Sequence, residues 1–389
     1  MNFVISDGNS TNIDWNEVNI KLIPKKRCLI FGSYYAKLSS SKSIIDTVNY
    51  NSEWDKMKKI ANPFELIYTT YNKKKKKESI ANYKPISRSF YKLWEIDNKF
   101  ELLDTTKNNQ KVASLAEGPG GFMEAIIKKY NDTHNVKLYG ITLPPHNKYI
   151  PDWTKMKTGF SMENVNIFYG NLYNFDDIKK YLVNFKNGKC SLVTADGGFD
   201  YSSNFNGQEI DSYRIIFAEI FIALVILEVG GSFVCKFFDI MSLFTMKLVF
   251  ILKSLFEEVN VYKPETSRPA NSEKYLVCKG FKGISMSTHA KIITLFKQIE
   301  STEQTDEFVL DIDGIKMDNG FVQTVNNINK SYLENQTMYI NKIVNLIENK
   351  NNNHSDIITK QVDNAIDWCK RNKIDINYAS EFYGMKTKG

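Results

Sequence analysis

Two charged side chains stand out because of what surrounds them. Lys236 interrupts an apolar run between Phe233-Val234-Cys235 and Phe237-Phe238, and Asp196 closes the run Leu192-Val193-Thr194-Ala195. A charge at the end of a buried strand is costly unless it is paired or functional. Lys92 and Glu273, each taken alone, read as an ordinary helix-surface lysine and a solvated acid. A third feature is the run Ala116-Glu117-Gly118-Pro119-Gly120-Gly121-Phe122, between a strand-like and a helix-like segment. Glycines there let the backbone turn sharply and approach a ligand with no Cβ in the way. Unpaired N–H groups at the helix start would face a polar ligand group. Pro119 interrupts the GxGxxG dinucleotide pattern, and no Gly-Lys-Ser/Thr follows, so this is not a P-loop. By itself the run fits a plain tight turn equally well. The four histidines are scattered and none of the five cysteines forms a CxxC pair, so no metal is expected and the thiols read as reduced.

The elements that must position these residues alternate. Strand-like runs cover 111–117, 137–143, 165–170, 191–195, 232–238, 259–262 and 275–279. Helix-like runs cover 122–130, a segment opened by Asp176, a long segment stopped by Gly230-Gly231, and 241–256. Such alternation predicts a parallel α/β sheet with helices on both faces. The last two strands have no helix between them, which predicts one antiparallel strand. Ligands of such sheets sit beyond the carboxyl ends of the strands, where all the motifs above fall.

Three runs besides the glycine turn carry a family resemblance. They are Ser87-Arg88-Ser89-Phe90-Tyr91-Lys92-Leu93, Ala195-Asp196-Gly197-Gly198-Phe199, and the pair formed by Gly231 to Lys236 with Lys263-Pro264 and Thr266-Ser267-Arg268-Pro269-Ala270-Asn271-Ser272-Glu273. In this order and context the chain resembles the FtsJ-like ribose 2′-O-methyltransferases across roughly residues 86–282. The wording of the Asp-Gly-Gly-Phe turn, of Gly207-Gln208-Glu209 and of the Ser-Arg-Pro loop is similar to their cap-specific mRNA branch in eukaryotes and large DNA viruses. The resemblance implies an α/β Rossmann-like fold with a mostly parallel seven-stranded sheet. It implies a Lys-Asp-Lys-Glu tetrad at Lys92, Asp196, Lys236 and Glu273, with Lys236 as base. It implies S-adenosylmethionine (SAM) as methyl donor, leaving as S-adenosylhomocysteine. Ala116, Glu117, Gly118, Pro119, Gly120, Gly121, Phe122, Thr142, Asn171 and Asp196 would hold the donor. Arg88, Glu209, Ser267 and Arg268 would face the RNA. Two positions depart from the family pattern: Ser114 stands at the acidic position of the first strand, and Asn171 at the adenine-facing acid.

The expected product is a capped mRNA 5′ end methylated on its first transcribed nucleotide. Ribosomal or transfer RNA is the rival substrate, and a non-catalytic RNA-binding or scaffolding subunit is the rival class. The intact tetrad argues against the latter. Other capping or transcription proteins could dock on the additions, which read as an N-terminal extension over 1–84 and a C-terminal helical region over 284–389, flanking a methyltransferase domain over 85–283. A net charge of +7 and a pI near 8.8 are compatible with a polyanionic partner. Lys73 to Lys77 reads as a solvated loop, an RNA contact or an import signal. The most apolar segment, Ile215 to Val229, is too short to span a bilayer and carries Glu219 and Glu228. No signal peptide opens the sequence. The chain is therefore expected inside the cell, in nucleus or cytoplasm, or in a virion or viral factory if a virus encodes it.

Overall fold

The alternating runs fold into one twisted sheet covered on both faces. The computed structural model describes residues 1–5, 12–29, 32–47, 51–69, 79–131, 136–144, 153, 163–198, 206–349 and 354–386. Lys73 to Lys77 and Phe199 lie outside them. In chain order the strands are β1 (Asn2–Val4), β2 (Asn19–Pro24), β3 (Gln110–Leu115), β4 (Val136–Thr142), β5 (Val165–Tyr169), β6 (Cys190–Ala195), β7 (Leu227–Phe237), β8 (Phe256–Tyr262), β9 (Lys274–Phe281) and β10 (Phe308–Asp313). Eight of them form the main sheet in the order β1-β8-β9-β7-β6-β3-β4-β5. The pairings from β7 to β5 are parallel, and β9 runs antiparallel between β7 and β8. The expected antiparallel strand is therefore present, and it is inserted between its neighbours.

The seven expected strands are joined by an eighth. Residues 2–4, which carry no strand signal of their own, pair antiparallel with β8 at the sheet edge. The C-terminal region is likewise not purely helical, because β10 pairs with β2 from the N-terminal region in a separate two-stranded sheet. Neither strand is legible locally, since each depends on a partner far away in sequence.

The helices are α1 (Gly32–Thr47), α2 (Asn51–Ala61), α3 (Ser89–Phe100), α4 (Gly121–Tyr130), α5 (Phe175–Leu182), α6 (Gln208–Asp211), α7 (Tyr213–Ile226), α8 (Leu243–Leu255), α9 (Met286–Ser301), α10 (Asn319–Glu348), α11 (Ser355–Arg371) and α12 (Glu381–Lys386). Capping fixes several starts. Asn174 accepts from Asp177 N at 3.0 Å to open α5, and Asp318 accepts from Phe321 N at 2.7 Å to open α10. α7 is apolar nearly all round and lies in the core. It stops at Ile226, four residues before the glycines expected to end it. Gly230 instead takes φ +83° inside β7, which shifts register against β6 between Cys190 and Leu192. All five cysteines are buried and free. Among the described residues no helix is long and apolar enough to cross a membrane.

Candidate active site

β3 ends at Leu115, and the chain then turns through the left-handed region at Ala116 (φ 51°) and Gly120 (φ 105°). α4 begins at Gly121, where a Cβ would lie 2.2 Å from Ser89 Oγ and 2.3 Å from Ser87 Oγ. The missing side chain lets the start of α3 close on the start of α4. The helix-start amides are not all open to a ligand, contrary to expectation. Buried Glu117 accepts from Phe122 N at 2.8 Å and from Met123 N at 3.3 Å, and Ser89 Oγ donates to it at 3.3 Å. Glu117 thus caps its own helix. The Phe122 ring also turns inward, 5.9 Å from the ring of Tyr275. The turn offers a ligand its backbone, with Ala116, Gly118 and Pro119 half-buried.

The neighbouring strand ends complete one edge. Thr142 closes β4 and its carbonyl accepts from Gly170 N at 2.9 Å. Asn171 is exposed just past β5, and its Oδ1 accepts from Tyr173 N at 2.9 Å. Ser114 shares a 2.9 Å hydrogen bond with Thr194, so this serine joins β3 to β6. Asp196, the turn, Thr142 and Asn171 follow the strand order β6-β3-β4-β5. A carboxylate, a bare glycine backbone and neutral polar groups suit a nucleoside bearing a cationic centre.

Two lysine–carboxylate pairs stand at the same edge. Lys236 Nζ donates to the Asp196 carbonyl at 2.7 Å and lies 3.3 Å from Asp196 Oδ1. Lys92 Nζ lies 2.7 Å and 2.8 Å from the two oxygens of Glu273. These four side chains are 10–14% exposed, buried enough to strengthen the pairing yet open to a substrate. β9 links the pairs: Tyr275 sits opposite Lys236 in the ladder, two residues past Glu273, and donates from its hydroxyl to Asp196 Oδ1 at 2.8 Å. Burial would lower the Lys236 ammonium, but Asp196, Glu273 and Glu219 outweigh it and raise it above its ordinary value. Burial likewise opposes ionisation of Glu273, and the ammonium groups of Lys92 and Lys236 override it, holding its carboxyl well below the usual range.

The side chains expected to face RNA are engaged within the protein. Arg88 Nε donates to the Thr266 carbonyl at 2.9 Å, and its other nitrogens donate to the carbonyls of Tyr68 and Phe64. Arg268 forms a two-pronged pair with buried Glu65, at 2.8 Å and 3.0 Å. Buried Glu209 accepts from Met241 N at 2.9 Å and Ser242 N at 2.8 Å at the start of α8. Ser267 donates to Glu273 Oε1 at 2.8 Å and so steadies the tetrad. Sequence reasoning also missed Tyr275 and Glu95, and it gave no role to Lys263, which belongs to one of the runs that carry the resemblance. Lys263 Nζ donates to the carbonyls of Asn271 at 2.6 Å and Glu273 at 2.7 Å, and burial pulls its ammonium down to about 7. Nothing in their local sequence distinguishes Tyr275 and Glu95 from core residues.

The FtsJ-like methyltransferase family model matches residues 85–281, which is half the chain and contains all four tetrad positions. The chain belongs to the FtsJ-like methyltransferase family. Among curated relatives of this FtsJ-like chain, cap-specific mRNA (nucleoside-2′-O-)-methyltransferase 1A of Caenorhabditis briggsae is 28% identical over 253 residues, covering 61% of this chain and 28% of the relative. Cap-specific mRNA (nucleoside-2′-O-)-methyltransferase 1 of Bos taurus is 28% identical over 323 residues, covering 78% of this chain and 37% of the relative. An inactive cap-specific mRNA (nucleoside-2′-O-)-methyltransferase 1B of Caenorhabditis briggsae is 27% identical over 253 residues, covering 61% and 29%. The chain therefore spans about a third of the length of these relatives.

Two buried acids near the site tie its folding to pH. Burial pushes the carboxyls of Glu117 and Glu219 up to about 8. An unfolded glutamate titrates near ~4.3. A carboxyl raised in the folded state favours folding fully below ~4.3, and that contribution is lost as pH rises toward 8. Glutamine does not titrate, so between pH ~5 and ~8 the wild type should lose several degrees more in melting temperature than Glu219→Gln. Parallel thermal melts of the two proteins across that range measure the difference, and equal slopes would show that Glu219 does not titrate in this window.

Proposed function

We propose that this chain transfers a methyl group from SAM to the ribose 2′-hydroxyl of the first transcribed nucleotide of capped mRNA. The observation that carries the reading is the partly open pairing of Lys236 with Asp196 and of Lys92 with Glu273 at one sheet edge, beside the glycine turn. The names of the curated relatives favour the cap as substrate.

When bound, SAM would supply a methyl group made electrophilic by its sulfonium. The backbone of 116–121, with Thr142, Asn171 and Asp196, would hold it. A ribose hydroxyl attacks poorly while protonated, so Lys236 would take its proton during attack. In the structure Asp196 and Glu273 favour a charged Lys236. Lys236 must therefore release its own proton first, and an added positive charge beside it lowers its affinity for that proton. Lys92 and Glu273 would orient the hydroxyl so that oxygen, methyl and sulfur align.

The test is incubation of the protein with labelled SAM and matched short RNAs, one with a methylguanosine cap and one with a 5′ triphosphate. The expected result is label on the 2′-oxygen next to the cap, in the capped RNA alone. Label on ribosomal or transfer RNA, with none on the capped oligonucleotide, would replace the cap reading. Donor binding without label on any RNA would favour a binding or scaffolding role.

A further inference from the structure

Glu219 stands apart among the charged side chains of this molecule. It sits in α7, among the buried apolar side chains of the core, and is 0% exposed. Nothing in the proposed chemistry uses it. A core helix has no packing need for a carboxyl there, and burying one without partners is expensive. Both its oxygens are engaged toward the reacting edge. Oε1 accepts from Gly197 N at 3.0 Å, and Oε2 lies 3.7 Å from Cys235 Sγ, next to Lys236.

The two glycines after Asp196 explain why this contact matters. A Cβ on Gly197 would lie 2.2 Å from Glu219 Oε1, 2.8 Å from Ile215 Cγ1 and 3.1 Å from Ala116 Cβ. Gly197 is therefore where the helix, the Asp196 turn and the glycine-rich turn meet. A Cβ on Gly198 would lie 2.9 Å from Lys236 Nζ. The backbone that Glu219 grips at one residue is in contact with Lys236 at the next, and with its 2.7 Å carbonyl acceptor at the one before. A buried amide left without an acceptor would be costly, so losing this grip should move the turn.

We propose that Glu219 is a positioning residue, which fixes the Asp196-Gly197-Gly198 turn against Lys236 and Ala116 by accepting the Gly197 hydrogen bond. The proposal rests on the methyl-transfer reading for its consequence, not for its contact. The acceptor is what matters and not the charge. Burial pushes the Glu219 carboxyl up to about 8, and in either protonation state an oxygen remains that can accept from Gly197 N. Glutamine offers the same acceptor. Leucine offers none.

The test compares Glu219→Gln with Glu219→Leu in the full chain. Three readouts are taken: S-adenosylhomocysteine affinity by calorimetry, exchange of the Gly197 amide hydrogen, and methyl-transfer kinetics. Glu219→Gln should stay within about threefold of wild type in affinity and kcat and keep Gly197 protected. Glu219→Leu should lose roughly tenfold or more in affinity and about 100-fold in kcat, with KM for RNA unchanged and Gly197 exchanging faster. Should the leucine variant not fold, Glu219→Met fills the same volume with an unbranched chain and takes its place. A folded leucine or methionine variant with wild-type affinity and a protected Gly197 overturns the proposal. So does a glutamine variant as impaired as the leucine one, since charge would then be the operative feature. Absence of methyl transfer in the wild type would count against the proposed function alone, because amide exchange still reads the contact.

Discussion

Lys236→Met should abolish methyl transfer, by about 10⁴-fold or more, while the protein still folds and still binds S-adenosylhomocysteine. Removing a proton acceptor alone is worth roughly 10²–10⁴. Here the same side chain also lies against Asp196 and Gly198, so orientation is lost with it. Methionine keeps the unbranched stem and removes the ammonium, together with its 6.0 Å approach to the Phe238 ring. Asp196 keeps the hydroxyl of Tyr275 as a partner at 2.8 Å, so the turn is not stripped of all its bonds. The sign of the pH dependence follows from the charges around Lys236. Its ammonium is held above the ordinary lysine value, so the active neutral form is scarce at neutral pH. The rate should rise with pH from neutral toward the alkaline range, because each step upward releases more neutral lysine. The residual rate of Lys236→Met should lack that rise. Single-turnover rates at matched pH values, with calorimetry for the product nucleoside, separate chemistry from binding. Turnover within tenfold of wild type in the methionine variant would remove Lys236 as the base.

The four-residue set comes from the family resemblance, and the apolar pattern by itself marks two of its members, while Lys92 and Glu273 read locally as surface residues. Lys236 and Asp196 break apolar runs, and the glycine turn sits between a strand and a helix. The residues that hold these groups in place were not legible, for a common physical reason. Glu65, Glu95, Glu117, Glu209 and Glu219 are all buried, and all accept hydrogen bonds from the protein itself. A lone glutamate in sequence carries no mark of which amides it will meet, because those amides come from distant segments. The resemblance points Arg88, Arg268 and Glu209 toward RNA because it places them near the site. Ser267 touches Glu273. The guanidinium groups of Arg88 and Arg268 are drawn toward Glu65, because a buried acid attracts nearby charged donors. The same limit applied to β1 and β10, short strands whose pairing partners lie over two hundred residues away.

Glu95→Ala should be the most damaging single substitution outside the tetrad, and its geometry says why. Glu95 lies one helical turn beyond Lys92 on α3, so the two carboxyl- and amine-bearing chains share a face. Oε1 accepts from Tyr262 Oη at 2.6 Å and from Glu265 N at 2.7 Å. Oε2 accepts from Thr266 N at 3.3 Å, Thr266 Oγ1 at 3.1 Å and Trp368 Nε1 at 3.0 Å. One carboxylate therefore joins α3, the end of β8, the loop that leads to Glu273 and helix α11. Alanine leaves all these donors in a water-poor interior, which costs about 4 kcal/mol. For a chain of this size that is a fall of about 5 °C in melting temperature. The catalytic loss should exceed what stability explains. Lys92 and Glu273 face each other only while α3 and the loop are clasped, so kcat should fall by roughly 100-fold at temperatures where the variant is fully folded. Glu95→Gln should rescue little, because its amide nitrogen would point at one set of donors with no lone pair to offer. That is the reverse of the expectation for Glu219, whose single amide donor a glutamine oxygen satisfies. Trp368→Phe removes one donor of the five and leaves a small cavity at a fully buried position, so it should cost about 2 kcal/mol with kcat nearly intact. If Glu95→Ala and Trp368→Phe proved equally mild, the clasp would not be holding the loop, and the alignment of Lys92 with Glu273 would have to come from Ser267 and Lys263 alone.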